Sequence, residues 1–336
     1  MSVTASGIGS MPGADAEGFA EALRVVLGTQ PDLPYLPELP GRGATASLVG
    51  RAVGVLAELG ADLQPAGWRL TGSAPGVEQR RARSLLSQDL DALEEQTQGY
   101  TGRLKVQVAG PWTLAASLER PRGDKVLADH GLRRELAESL AEGVREHVAD
   151  VRRRVPGADL VVQLDEPGLP AVLSGGVPTA SGFHRHRSVD HPAASPALEW
   201  VIAAVTDEGG TPVVHCCAPD VPLGLLTGAG ARGVSVDLGQ LAAAAYDGLA
   251  ELLESGRLLM LGVVSSTDPA ADAAAWPGDE PITERVLRLL DMLGLDPASA
   301  GDLVVTPTCG LAGASPAWAR RAGELSATVA RNLDSA

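Results

Sequence analysis

Aromatic side chains are scarce in this chain of 336 residues: two Phe, three Tyr and five Trp make up 3% of it. A core of the size that length permits must therefore be filled by Leu, Val and Ala, and a hydrophobic content of 45% supplies them. Cysteine is scarce too. Three residues cannot all pair, which excludes a disulfide framework. Basic residues number 27 against 42 acidic ones, a net charge of −15. The chain thus lacks the positive footprint that nucleic acids and anionic membrane surfaces require. No run approaches the roughly 18 consecutive apolar residues of a membrane span. The opening MSVTASGIGSMPG has neither the charged nor the apolar region of a signal peptide. These shortages point to a reduced, cytoplasmic protein with no nucleic-acid or membrane partner.

What the chain does have is alternation of two patterns. Short β-like runs recur at 33–39 (LPYLPEL), 105–109 (KVQVA), 160–164 (LVVQL), 212–217 (PVVHCC), 234–238 (VSVDL), 258–264 (LLMLGVV) and 303–306. Between them lie stretches of helical period at 14–27, 46–59, 79–97, 133–154, 196–208, 241–255, 282–292 and 316–332, with an irregular piece around Gly67 and Trp68. With GIGS as the first strand and LPYLPEL as the second, the count is eight. Strands alternating with helices imply a parallel sheet, and eight such units predict a single (β/α)8 TIM barrel over residues 1–336. No Rossmann glycine fingerprint follows any strand, and no linker divides the chain.

Polar residues gather at one place in these units. Ser10, Glu38, Gln107, Asp165, His215, Cys217, Asp237 and Cys309 all fall at or just past the C-terminal end of a predicted strand. Barrel enzymes build their sites on that face. Side chains on a strand alternate, so in PVVHCC His215 and Cys217 share a face while Cys216 takes the other. Imidazole and thiol are zinc ligands. Cys309, in VVTPTCG, is a third donor, and Asp237, ending VSVDL, is a suitable fourth. Two thiolates and a carboxylate around a divalent ion leave a net −1, poor for generating hydroxide but suited to keeping a substrate thiol deprotonated. The alternative is plain packing: cysteines as small buried hydrophobes and His215 as a core histidine. Likewise Asp165-Glu166-Pro167 also reads as an acidic helix start. His184 and His186 lie in a polar loop, 171–194, read as solvated or as a mobile lid.

The segments GIGSMPG, LPELPGRG, VAGPWTL, VQLDEP, HCC, VSVDLG and TPTCGL, in this order, resemble the catalytic C-terminal half of cobalamin-independent methionine synthases. More widely they resemble the superfamily shared with uroporphyrinogen decarboxylase. The likeness runs through nearly the whole chain and implies a zinc methyltransferase that methylates homocysteine to methionine. It implies zinc ligands at His215, Cys217, Asp237 (usually Glu in the family) and Cys309. Homocysteine contacts would be Ile8, Gly9, Ser10, Glu38 and Asp165, the last with a catalytic role. The family's proton-donor His falls on Thr267, beside Asp268. The folate-stacking Trp falls on a small residue around Ser117, leaving Trp112 nearby, and Ala171 stands where an acidic folate contact is expected. The thiol-activating half is therefore kept more fully than the folate half, which leaves 5-methyltetrahydrofolate or a methylcorrinoid protein as donor. A decarboxylase-like lyase and a non-catalytic thiol-binding relative are the other readings.

Overall fold

A computed structural model describes residues 3–270, 276–296 and 302–336. Its strands are β1 (Thr4–Ala5), β2 (Gly60–Gln64), β3 (Gly67–Gly72), β4 (Gly102–Ala109), β5 (Ala158–Asp165), β6 (Thr211–Cys216), β7 (Gly233–Asp237), β8 (Leu258–Val264) and β9 (Leu303–Pro307). The helices are α1 (Ala16–Thr29), α2 (Leu48–Val55), α3 (Val77–Gln96), α4 (Pro111–Ser117), α5 (His130–Arg154), α6 (Leu169–Ser174), α7 (His191–Asp207), α8 (Leu223–Gly228), α9 (Tyr246–Glu254), α10 (Glu280–Met292) and α11 (Pro316–Asp334).

Seven strands form one curled parallel sheet in the order β1-β9-β8-β7-β6-β5-β4, with helices between them in sequence. Such an α/β arrangement fits a TIM-like barrel. Residues 34–38 lie between its two edges. On one side Leu36 N donates to Lys105 O (2.9 Å) and Lys105 N to Pro34 O (2.8 Å). On the other, Glu38 N donates to Gly9 O (3.0 Å) and Met11 N to Glu38 O (2.8 Å). Pro34 and Pro37 have no N–H to give, so this segment makes single bridges at Tyr35 and Glu38 in place of a regular ladder.

The inner face of the sheet is layered. Leu33, Val161, Val213, Leu258, Met260 and Val304 form a separate apolar cluster there. Alternation then sets Gln163 and Asp165 on the face of Val161, His215 on that of Val213 and Thr306 on that of Val304. Polar groups thus stack above the apolar layer, towards the C-terminal strand ends. The larger core lies between sheet and helices, as an interior short of aromatics requires: Leu23, Leu56, Leu93, Leu140, Leu198, Leu226 and Val329 are among its fully buried members. Each buried Leu or Val contributes about 1.5–3 kcal/mol.

Helix starts follow sequence signals. Asp15, Ser47, Asp129, Asp190 and Ser315 each accept a backbone N–H from the first turn. The Asp190 cap, with Pro192 in the first turn, starts α7 at His191, earlier than the predicted 196. The predicted helix 46–59 stops at Val55, because 60–72 is an antiparallel hairpin rather than an irregular piece. The helix expected from 241 begins at Tyr246, after a 3-10 turn over Ala243–Ala245.

Candidate functional site

His215 is the penultimate residue of β6, Cys217 lies one residue beyond the strand, and Cys309 lies in the turn after β9. One ligand atom from each falls within 4.8 Å of the other two. The Cys217 and Cys309 sulfurs are 3.2 Å apart and both thiols are free. A hydrogen bond from Cys217 holds the Cys309 thiol well below its ordinary pKa, helped by His215, while Cys217 is raised because it keeps the shared proton. Cys216 faces the other way, is buried, and has its thiol pushed up to about 12 by that burial. Across the β6–β7 register His215 pairs with Ser235, and its Nδ1 lies 3.0 Å from the Ser235 hydroxyl. With Nδ1 so engaged, Nε2 is the nitrogen left to meet a ligand. Two converging sulfurs and one oriented imidazole are a donor set that fits zinc.

Asp237 does not join this group. It stands on the same face of β7 as Ser235, but its Oδ1 accepts the Gly239 N–H (2.7 Å) and caps the 3-10 turn that follows. The expected fourth ligand is thus occupied with a local backbone bond, as a short acidic side chain at a strand end commonly is.

The residues expected at the amino-acid end come together. Ser10 bridges Glu38, and its carbonyl accepts the Leu311 N–H (2.8 Å), two residues beyond Cys309. Glu38 is buried; its Oε1 accepts from Gln107 Nε2 (3.1 Å) and lies 3.2 Å from Arg51 Nε. Arg51 also pairs with Asp89 (2.6 Å), which Arg42 grips through both carboxylate oxygens. Asp165 is buried opposite His215 and accepts from Gln163 Nε2 at 2.6 Å. Burial pushes its carboxyl up to about 7, with Glu38 adding to the rise and His215, Lys105 and Gln163 opposing it. Glu166, next along the chain, serves the backbone instead. Its carboxylate accepts Trp112 N (2.9 Å), Thr113 N (2.7 Å) and the Thr113 hydroxyl (2.8 Å), closing the start of α4.

Three expectations meet a different geometry. Trp112 is buried, its indole N–H bonds Ala194 O (3.0 Å) and the Arg133 guanidinium lies 5.7 Å over its ring, so it packs between α4, α5 and α7. Asp268 spends both oxygens on Ser315, at 2.7 and 2.5 Å, at the start of α11. Thr267 is exposed and, among the described residues, its hydrogen bonds are to Ser265. In the 171–194 stretch α6 occupies the beginning, and His186 reaches Asp124 (3.2 Å) while Arg185 bonds Gly176 O (2.7 Å), tying the loop down. Sequence reasoning passed over Ser235, Lys105, Gln163 and Arg51. The first three carried a signal: each is polar, on the inward face of an otherwise apolar strand.

Fold and site together define a TIM-like α/β protein with a sulfur-and-nitrogen donor group and two buried carboxylates at the C-terminal strand ends. The family model described as cobalamin-independent synthase, catalytic domain, matches residues 94–332, more than half of the chain, and the chain belongs to that family. No curated protein matches it. Among solved structures it is similar to a B12-independent methionine synthase from Shewanella sp. W3-18-1 in complex with selenomethionine. That likeness has a TM-score of 0.62 at 16% identity, covering 98% of this chain and 96% of the other. It is also similar to D-psicose 3-epimerase from Clostridium cellulolyticum H10, with a TM-score of 0.41, 8% identity and coverage of 73% and 83%. The first likeness is one of fold. The second is too slight to carry an argument. Among the described residues no helix is long and apolar enough to cross a membrane.

Proposed function

We propose that this chain is a zinc-dependent methyltransferase that takes homocysteine to methionine, on a (β/α)8 barrel in which residues 34–38 serve as the eighth strand. The observation that carries the reading is the convergence of His215, Cys217 and Cys309 beside a turn and two carboxylates suited to an amino acid. His215, Cys217 and Cys309 would hold the ion, with Asp237 able to join on turning away from Gly239. When bound, zinc supplies acidity to a thiol whose ordinary pKa is about 8.5. The protein's own groups do the rest. Glu38 and Asp165 receive the ammonium, and the Gly9 and Ser10 amides with the Ser10 hydroxyl receive the carboxylate. Held at both ends, the sulfur is presented to the methyl group in one orientation.

The donor is 5-methyltetrahydrofolate or a methylcorrinoid protein. Trp112 and Asp268 are committed elsewhere, which favours a donor that needs neither a stacking platform nor an acid there. A porphyrinogen decarboxylase needs spare cations for its substrate's carboxylates, whereas Arg42 and Arg51 are tied to Asp89 and Glu38. The test is methionine formation by the zinc-loaded protein from homocysteine, with methylfolates of different glutamate length and with methylcobalamin. Methionine from at least one donor is expected. None from any of them, with homocysteine still bound, would leave a thiol-binding relative without turnover.

A further inference from the structure

Lys105 has no exposed surface, stands on the inner face of β4, and makes no ion pair among the described residues. A buried ammonium without a contacting carboxylate is costly, so what it holds is informative. Its Nζ donates to Ile8 O (2.9 Å) and to Gln107 Oε1 (3.2 Å) and lies 5.2 Å over the Tyr35 ring. The same Ile8 carbonyl accepts from Gln163 Nε2 (2.8 Å). Two donors from inside the sheet therefore turn one carbonyl inward. The Ile8–Gly9 peptide is trans, so the Gly9 N–H points the opposite way. Gly9 has φ +154°, and a Cβ there would come within 2.9 Å of Gln107, so the turn needs glycine. Neither the Gly9 nor the Ser10 N–H has a hydrogen-bond partner among the described residues. Through the two glutamines the same network reaches both carboxylates, Gln107 to Glu38 and Gln163 to Asp165. Burial lowers the lysine to about 8, while the charges of Asp165 and Glu38 oppose the fall.

We propose that Lys105 is a positioning residue: by holding the Ile8 carbonyl inward it keeps the Gly9 amide directed at the carboxylate of an amino-acid thiol, beside the Ser10 amide that the Glu38 N–H to Gly9 O bond orients. This rests on the homocysteine reading and adds the device that selects for the carboxylate end. The test titrates the zinc-loaded wild type and Lys105→Met by calorimetry with three thiols: homocysteine, 4-mercaptobutanoate (no amine) and 3-aminopropanethiol (no carboxylate). Lys105→Met is expected to weaken the two carboxylate-bearing thiols by about tenfold or more and leave 3-aminopropanethiol within about twofold, as loss of carboxylate hydrogen bonds requires. Zinc content stays that of the wild type. Lys105→Gln, which keeps a polar group in the buried position but whose nitrogen stops one atom short of the lysine's, loses the Ile8 bond and gives the same pattern where the Met variant does not fold. Equal weakening of all three thiols, or of none, overturns the role of Lys105 alone. A wild type that binds none of them overturns the homocysteine reading and this proposal with it.

Discussion

Ser235→Ala removes a single hydroxyl from the wall of the site, 3.0 Å from His215 Nδ1. Both residues are buried, so no water replaces the lost partner. An unsatisfied buried ring nitrogen costs about 1–3 kcal/mol, and the imidazole loses the bond that reserves Nε2 for a ligand. At about 1.4 kcal/mol per tenfold, zinc affinity should fall by roughly 5- to 140-fold. The assay is competition for zinc against a chelator of known affinity, with thermal unfolding of the metal-free protein measured alongside. Affinity unchanged within about twofold, accompanied only by lower stability, would count against an orienting bond. The hydroxyl would then fill space without orienting the ring.

Other consequences are as direct. Cys217→Ser and Cys309→Ser should each abolish stoichiometric zinc binding, whereas Cys216→Ala, on the other face of the strand, should keep it; elemental analysis decides, and full zinc in either serine variant contradicts the ligand set. Glu166→Ala strips acceptors from two backbone amides and a hydroxyl at the start of α4, and should cost about 3 kcal/mol or more in denaturant unfolding. His147, buried in α5, is lowered to about 4 by desolvation, with Arg51 adding to the fall. Its unfolded form takes up a proton near pH 6.5 while the folded form does not. Stability is therefore lost as pH falls from about 6.5 to about 4, by roughly 3 kcal/mol in all. His147→Leu should flatten that limb of the stability profile, and an unchanged limb would count against the assignment.

The alternation of apolar strands and amphipathic helices made the parallel α/β architecture legible, because period 2 and period 3.6 differ along most of the chain. The hairpin at 60–72 was not legible: ADLQPAGWRL carries little alternation, and Gly60, Gly67 and Gly72 hid its ends. The 33–39 segment was seen as a strand, yet its two prolines reduce it to bridges. The donor group was readable from HxC and the late Cys, since strand alternation alone puts His215 and Cys217 on one face. Asp237, Asp268 and Trp112 share a feature that their positions in the chain do not reveal. Each sits at the right place in the chain, but a nearby backbone group claims the side chain, through Gly239 N, Ser315 N and Ala194 O. The Gly239 contact is local, but the other two join segments 47 and 82 residues apart, so spacing gives no sign of them. Lys105 was overlooked for the opposite reason, as one polar residue opening an apolar strand.

Zinc K-edge absorption of the loaded protein, with and without homocysteine, asks whether the substrate sulfur joins the ion. Two sulfur neighbours at zinc are expected in the protein alone, from Cys217 and Cys309, and a third when homocysteine is added. An unchanged sulfur count on addition, with homocysteine bound, would contradict it.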